Sequence, residues 1–167
     1  MTSTRTPASW DDRTILTTFL DDARATVHRK CADLSEDDAR AAPLPTSPLM
    51  SISGVVHHLR WVEYWWFRHV FLGEEDHGPW TDEDPDREFR IAVDIPLARL
   101  LAEYEGQAAL HRELVAAHDL DERAQQTTDG GFRPTLRWIV LHLTDETARH
   151  NGHLDVLREL ADGVTGD

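Results

Sequence analysis

Sulfur and positive charge are what this sequence has least of. Its 167 residues include one cysteine, Cys31, so the disulfide framework that holds many small secreted domains together is excluded. Lysine and arginine number 17 against 31 acidic residues, leaving a net charge of −14. A surface of that sign repels phosphate backbones, and nucleic acid is not an expected partner. No apolar run approaches the roughly 20 residues that a membrane span requires, because Arg60 and Glu63 interrupt the richest stretch; no membrane association is expected. No basic segment leads into an apolar run near residue 1, so no secretion signal is expected and the cytoplasm is the expected compartment. A nucleotide-binding glycine loop, a serine triad and a glycosidase signature are also missing.

What the chain does have is helical periodicity. Residues 1–9 read as a polar, flexible leader, residues 10–162 as one domain and residues 163–167 as a tail. Asp11 and Asp12 supply helix-start chemistry before Ile15, Phe19, Ala23 and Val27, giving a first helix to about Cys31. Ser35 to Asp38 caps a short turn, and Pro43, Pro45 and Pro48 keep the chain out of helix until Ser51. A second helix runs to about Leu72, where Gly73 stops it. A long irregular connection through Gly78, Pro79 and Pro85 leads to a third helix from Pro96 to about Ala117. Pro134 announces a fourth from Thr135 to Asp162. No segment alternates as a strand. The expected fold is therefore all-α, a four-helix bundle with a long connection between the second and third helices.

Bundles of this kind hold metals on inward residues of facing helices. Glu146 and His150 stand four residues apart, on one helix face, so both can reach one ion. His150 falls within the stripe of Leu136, Ile139, Leu143, Thr147, Leu154 and Leu157, with Glu146 at its edge. A carboxylate there needs a cation, a donor or water. In the second helix Val55, Leu59, Val62 and Trp66 mark the inner side, with Arg60, Tyr64 and Arg68 opposite. His58 lies at the apolar edge, whereas His57 and Glu63 turn toward the polar side. A ferritin-like di-iron site is disfavoured, because the only Glu-x-x-His spacing, Glu74 to His77, falls in the acidic loop. Histidine and carboxylate donors without cysteine suit a divalent metal, zinc first, with nickel or iron(II) as alternatives.

The segments His57-His58-Leu59-Arg60-Trp61-Val62-Glu63-Tyr64-Trp65-Trp66-Phe67 and Glu146-Thr147-Ala148-Arg149-His150-Asn151-Gly152-His153 resemble the DinB-like superfamily of metal-binding four-helix bundles, over nearly the whole chain. That family typically ligates its metal with one His of the second helix and a His-x-x-x-His pair of the last. Glu146 replaces the first member of the pair, which is similar to the His/Glu/His set of the mycothiol-dependent maleylpyruvate isomerases. The resemblance implies His58, Glu146 and His150 as metal ligands. It implies a low-molecular-weight thiol and an electrophile as partners, hence an S-transferase or isomerase. No counterpart of the isomerases' extra C-terminal domain is expected from these residues, so their substrate is not carried over.

The residues leave two other readings open: a hydrolase using metal-activated water, and a non-catalytic metal-binding interaction or stress-response protein. Trp61, one turn beyond His58, is a candidate pocket wall, and Arg149 and His153 are candidates for contacting substrate. His153 is also a candidate outer partner or alternative ligand. No catalytic residue is assigned beyond the ligands. His69, His77, His111, His118 and His142 read as surface or boundary histidines, and Cys31 as an inert thiol. Trp61, Trp65 and Trp66 read first as packing. Phe67, Val70 and Phe71 remain after Leu59 and Trp66 face the core, and their surplus suggests a homodimer.

Overall fold

Three of the four long helices start where a short polar side chain takes up an amide that the helix leaves unpaired. In the computed structural model, which describes residues 6–128 and 130–165, Asp11 accepts from Thr14 N before α1 (Asp12–Lys30). Ser35 does the same for Asp38 N at the short α2 (Glu36–Arg40), and Ser51 for Gly54 N before α3 (Ile52–Tyr64). After α3 the chain continues as a π-helical segment, Trp65–Phe71, that ends at Gly73 with φ 75°. A short α4 (Arg87–Ala92) follows. The next long helix, α5 (Leu97–Ala117), has no cap of its own; Glu36 of α2 reaches across to accept from Leu97 N at 3.0 Å. Thr135 caps α6 (Leu136–Asp162), which stops at Gly163 in the left-handed region. Residues 1–5 of the expected leader and 166–167 of the tail lie outside the described residues.

α1 packs along α6, and α3 packs against α4, α5 and α6. This is the expected all-α four-helix bundle. The long connection between the second and third long helices is also present, but it contains α4, a helix that its sequence did not announce. Among the described residues the only β pairing is an isolated bridge between Arg123 and Thr135.

The core has two apolar clusters. One includes Val27, Ile52, Leu59, Leu100, Leu154 and Leu157; the other includes Leu20, Phe67, Phe71, Leu136, Ile139 and Leu143. Along each helix a polar network falls between them. Glu63 of α3, 1% exposed, receives Arg24 of α1 in a two-point contact, Nε to Oε1 at 2.9 Å and Nη2 to Oε2 at 2.6 Å. From α5, Tyr104 donates to Oε1 at 3.2 Å and His111 Nδ1 lies 3.1 Å from Oε2. Thr147 of α6 completes the set through a hydrogen bond to the Tyr104 hydroxyl. Burial pushes the Glu63 carboxyl up, yet Arg24 and His111 together hold it down at about 2. Burial keeps His111 below its ordinary value despite the carboxylate, so its neutral Nδ1–H is the donor.

This network corrects the expected face of α3. Glu63 belongs to the inner side and Val62 and Trp66 are half-buried, because a buried guanidinium makes a carboxylate tolerable where the periodicity pointed to solvent. His111 is likewise no surface residue, at 1% exposed. The π-helical turn widens the helix and rotates the residues beyond it out of the α-helical phase. Phe67, Val70 and Phe71 consequently face the second cluster and are fully covered by the chain itself, which removes the ground for the expected homodimer. His57, expected on the polar side, is 2% exposed because α4 covers that face.

Removing one partner of a buried ion pair leaves the other uncompensated, so Glu63→Gln is expected to lower the unfolding free energy by about 3–5 kcal/mol at neutral pH in urea titrations. The pH dependence arises from the same groups. The pKa values of His57 and His111 are lowered from 6.5, chiefly by burial, so the unfolded chain takes up protons first and the fold weakens as pH drops below that value. Glu63, lowered from 4.5 to about 2, contributes stability present above 4.5 and lost as pH falls through 2. Acid unfolding monitored by circular dichroism should show both stages in the wild type, and Glu63→Gln should lack the second.

Candidate metal centre

Where α3 faces α6, the side chains of His58, Glu146 and His150 converge. Each offers one donor atom, and these lie within 4.8 Å of one another. His150 Nε2 is 3.1 Å from Glu146 Oε1, His58 Nε2 is 3.7 Å from the same oxygen, and the imidazole centroids are 4.9 Å apart. Donors at 2.0–2.2 Å from a common tetrahedral ion stand roughly 3.4 Å from one another. The spacing therefore fits one divalent ion without moving the backbone. All three side chains are part-buried, between 13% and 18% exposed, which leaves an approach from solvent. Burial, then the neighbouring His58, press the His150 pKa down to about 4, so its lone pair is free for a cation at neutral pH.

Both imidazoles are also held from behind. His58 Nδ1 is 3.3 Å from Oε1 of Glu88 on α4, and His150 Nδ1 is 3.3 Å from Nδ1 of His153. Ligating histidines characteristically have their second nitrogen engaged in this way, which fixes the ring and the tautomer. Phe89 stacks on the His58 ring at 4.7 Å. One residue further back, His57 Nδ1 lies 2.7 Å from the Glu88 carbonyl and its Nε2 accepts from the Trp61 indole at 2.9 Å. His57 is thus a neutral structural residue that ties α4 to α3, and the two adjacent histidines have separate jobs.

The remaining sequence candidates divide. His153 stands behind His150. Arg149 is exposed and pairs with Asp145 at 3.0 Å and with Glu146 Oε2 at 3.5 Å. Trp61 faces the other way: its partners are His57, Tyr64, Trp80 and the Arg60 guanidinium, and the aromatic wall beside His58 is Phe89 instead. His142, one turn before Glu146, is absorbed in packing with Trp66 and Trp138 at 4.7 and 4.8 Å. Cys31 is buried, which raises its thiol to about 12 and leaves it inert. Glu88 and Phe89 were missed by sequence reasoning. The signal was short: an Arg87–Ala92 stretch with Phe89, Ile91 and Ala92 as its apolar residues, lacking a capping side chain.

Comparison with known proteins agrees with the fold. A solved structure described as the conserved protein of locus from Enterococcus faecalis superposes with a TM-score of 0.66 over 93% of this chain and 100% of that one, at 15% identity; at that identity the likeness concerns the fold. No curated protein matches the chain. Residues 15–163, from the second turn of α1 to the end of α6, match the family described as mycothiol-S-transferase. With its four-helix bundle, its facing His58 and Glu146/His150 pair and a family match across nearly its full length, the chain belongs to the DinB-like mycothiol-S-transferase family.

Proposed function

We propose that this protein is a metal-dependent S-transferase joining a low-molecular-weight thiol of the mycothiol type to a small electrophile, with His58, Glu146 and His150 as ligands of one ion. The observation that carries the reading is the convergence of three donors, each imidazole turning Nε2 inward while Nδ1 is engaged from behind. Nitrogen and carboxylate donors without thiolate suit zinc, with nickel or iron(II) also compatible. A bound divalent ion supplies Lewis acidity at this point, lowering the pKa of the thiol it holds.

The chain's own groups provide the rest. Glu146 contributes the single negative charge among the three donors, and Arg149 stays within 3.5 Å of its outer oxygen. Glu88 and His153 keep both imidazoles in one orientation, so the donors need not reorganise when an ion arrives. Three protein ligands leave coordination open for a second molecule. Arg149, exposed beside the site, and His153, behind His150, are placed to contact the incoming thiol. All three proposed ligands come from one chain. A cytoplasmic location, where small thiols are kept reduced, suits the reaction.

Protein purified without a histidine tag is expected to carry about one divalent ion per chain by elemental analysis, and the His58→Ala/His150→Ala protein to carry none above background; equal contents in the two would remove the ligand assignment. Glu146→Gln should retain less metal. Glu88→Gln should keep the fold but weaken metal affinity about 10–100-fold, the usual scale for an outer partner of a ligating histidine, as read by competition with a chromogenic chelator.

Turnover should require both the metal and a thiol. Assays of the metal-loaded protein with mycothiol and an activated aryl halide are expected to give the thioether and to stop when either component is withheld. Hydrolysis of an ester or amide at an equal rate without thiol would instead favour metal-activated water. Metal binding with no turnover of either kind would favour the non-catalytic interaction reading.

A further inference from the structure

Next to the donor cluster lies a cavity of about 290 Å³, near the lower end of small-molecule pocket sizes. Pro48, Leu49, Met50 and Val55 form apolar walls with Phe89, and His150 stands at its edge. The cavity is continuous with the candidate metal centre through two rings: His150 is one of the donors, and Phe89 is the ring stacked on another, His58. Its wall from residues 47 to 50 is preformed. Ser47 N donates to Leu44 O at 2.9 Å and Met50 N to Ser47 O at 3.0 Å, consecutive turns stiffened by Pro48.

The charges around it point one way. No lysine or arginine lines the cavity; the one ionised side chain there is Asp86, which is exposed. Arg149, beside His150, is paired with Asp145 and Glu146; Arg90, beside Phe89, pairs with Asp84 at 3.5 Å; these and the exposed Arg87 are not part of the lining. With a net charge of −14 behind it, a carboxylate or phosphate entering the cavity would meet like charge and no compensating donor pair.

We propose that this cavity is the electrophile subsite and that it selects small, uncharged, apolar electrophiles over anionic ones. The proposal rests on the S-transferase reading for the fate of the bound molecule but not for its binding. In the reaction the thiolate sulfur attacks the electrophilic carbon held in the cavity, forming a C–S bond. With an aryl chloride the C–Cl bond breaks, chloride leaves with the electron pair, and the thiol's proton passes to solvent.

The sequence supplies its own probe. Met1 and Met50 are the only methionines, and Met50 lines the cavity, so protein labelled with methyl-¹³C methionine reports the site through one resonance and has the other as a control. Titration of the full-length chain with 1,3-dinitrobenzene, neutral and unreactive, is expected to move the Met50 methyl signal saturably and leave Met1 unchanged. With 3,5-dinitrobenzoate, of similar shape but anionic, the apparent Kd should be at least tenfold higher. An unmoved Met50 signal, or equal affinity for the two, overturns the proposal. In turnover with mycothiol and 1-chloro-2,4-dinitrobenzene, Leu49→Trp, which fills the cavity from a half-buried position, should raise KM for the chloride at least fivefold with metal content and thiol KM unchanged. The two readings separate cleanly. Saturable movement of Met50 with no turnover on any thiol sinks the transferase and leaves the subsite; turnover with Met50 unmoved and Leu49→Trp indifferent sinks the subsite and leaves the transferase.

Discussion

A single carboxylate at the middle of the bundle, Glu63, sets the arrangement on which the site depends. It takes Arg24 from α1 and Tyr104 and His111 from α5, and Tyr104 passes the connection to Thr147 of α6. Apolar packing alone tolerates small slides and rotations of helices; hydrogen bonds of fixed length to one buried anion do not. A buried ion pair is weak evidence for extra stability, because desolvation opposes its attraction. Its effect here is on register. Glu63 lies five residues beyond His58 on the same helix, and Thr147 directly follows Glu146, so the network fixes how the two ligand-bearing segments face each other. The donors of the candidate centre meet because a second polar cluster, buried beyond reach of substrate, aligns the helices that carry them.

The second constraint comes from the connection between the two halves of the bundle. Glu88 engages both histidines of α3, His57 through its backbone carbonyl and His58 through its carboxylate. The His57 bond anchors α4 with a group that cannot ionise away, and the His58 bond uses that anchor to aim a ligand. Phe89, one residue on, covers the His58 ring and forms part of the adjoining cavity. A short helix inside a long loop thus joins three tasks that the sequence distributes among unrelated-looking residues.

This explains what could and could not be read from the chain. Caps at Asp11, Ser51 and Thr135, the stop at Gly73, and 3.6-residue periodicity are local signals, and they recover the four long helices. The pair Glu146 and His150 is legible because four residues is a fixed geometric relation on a helix, and His58 because it sits at an apolar edge. Glu63 and His111 were misplaced for one reason. A polar residue buried with its partner looks, in a linear pattern, like a polar residue in water, and its partner Arg24 is 39 positions away. The π-helical turn compounded the error by changing the phase of Phe67, Val70 and Phe71. Glu88 was invisible because its role exists only once α4 docks, and six residues contain too few turns to show a period.

The electrostatics of the site tie metal and cavity together. Glu88 and Glu146 bring two carboxylates to opposite nitrogens of one imidazole, and Oε2 of Glu88 is buried with no hydrogen-bond partner among the described residues. A divalent cation on His58 Nε2 would offset part of this negative charge. An ion held by His58 Nε2 would draw electron density from the ring and make its Nδ1–H a stronger donor to Glu88. α4 carries Phe89, and Asp86 immediately precedes it, so the His57 and His58 contacts to Glu88 also position one wall of the cavity. In the proposed reaction, the contact that aims His58 and the wall that carries Phe89 would therefore share one residue pair, Glu88 and Phe89.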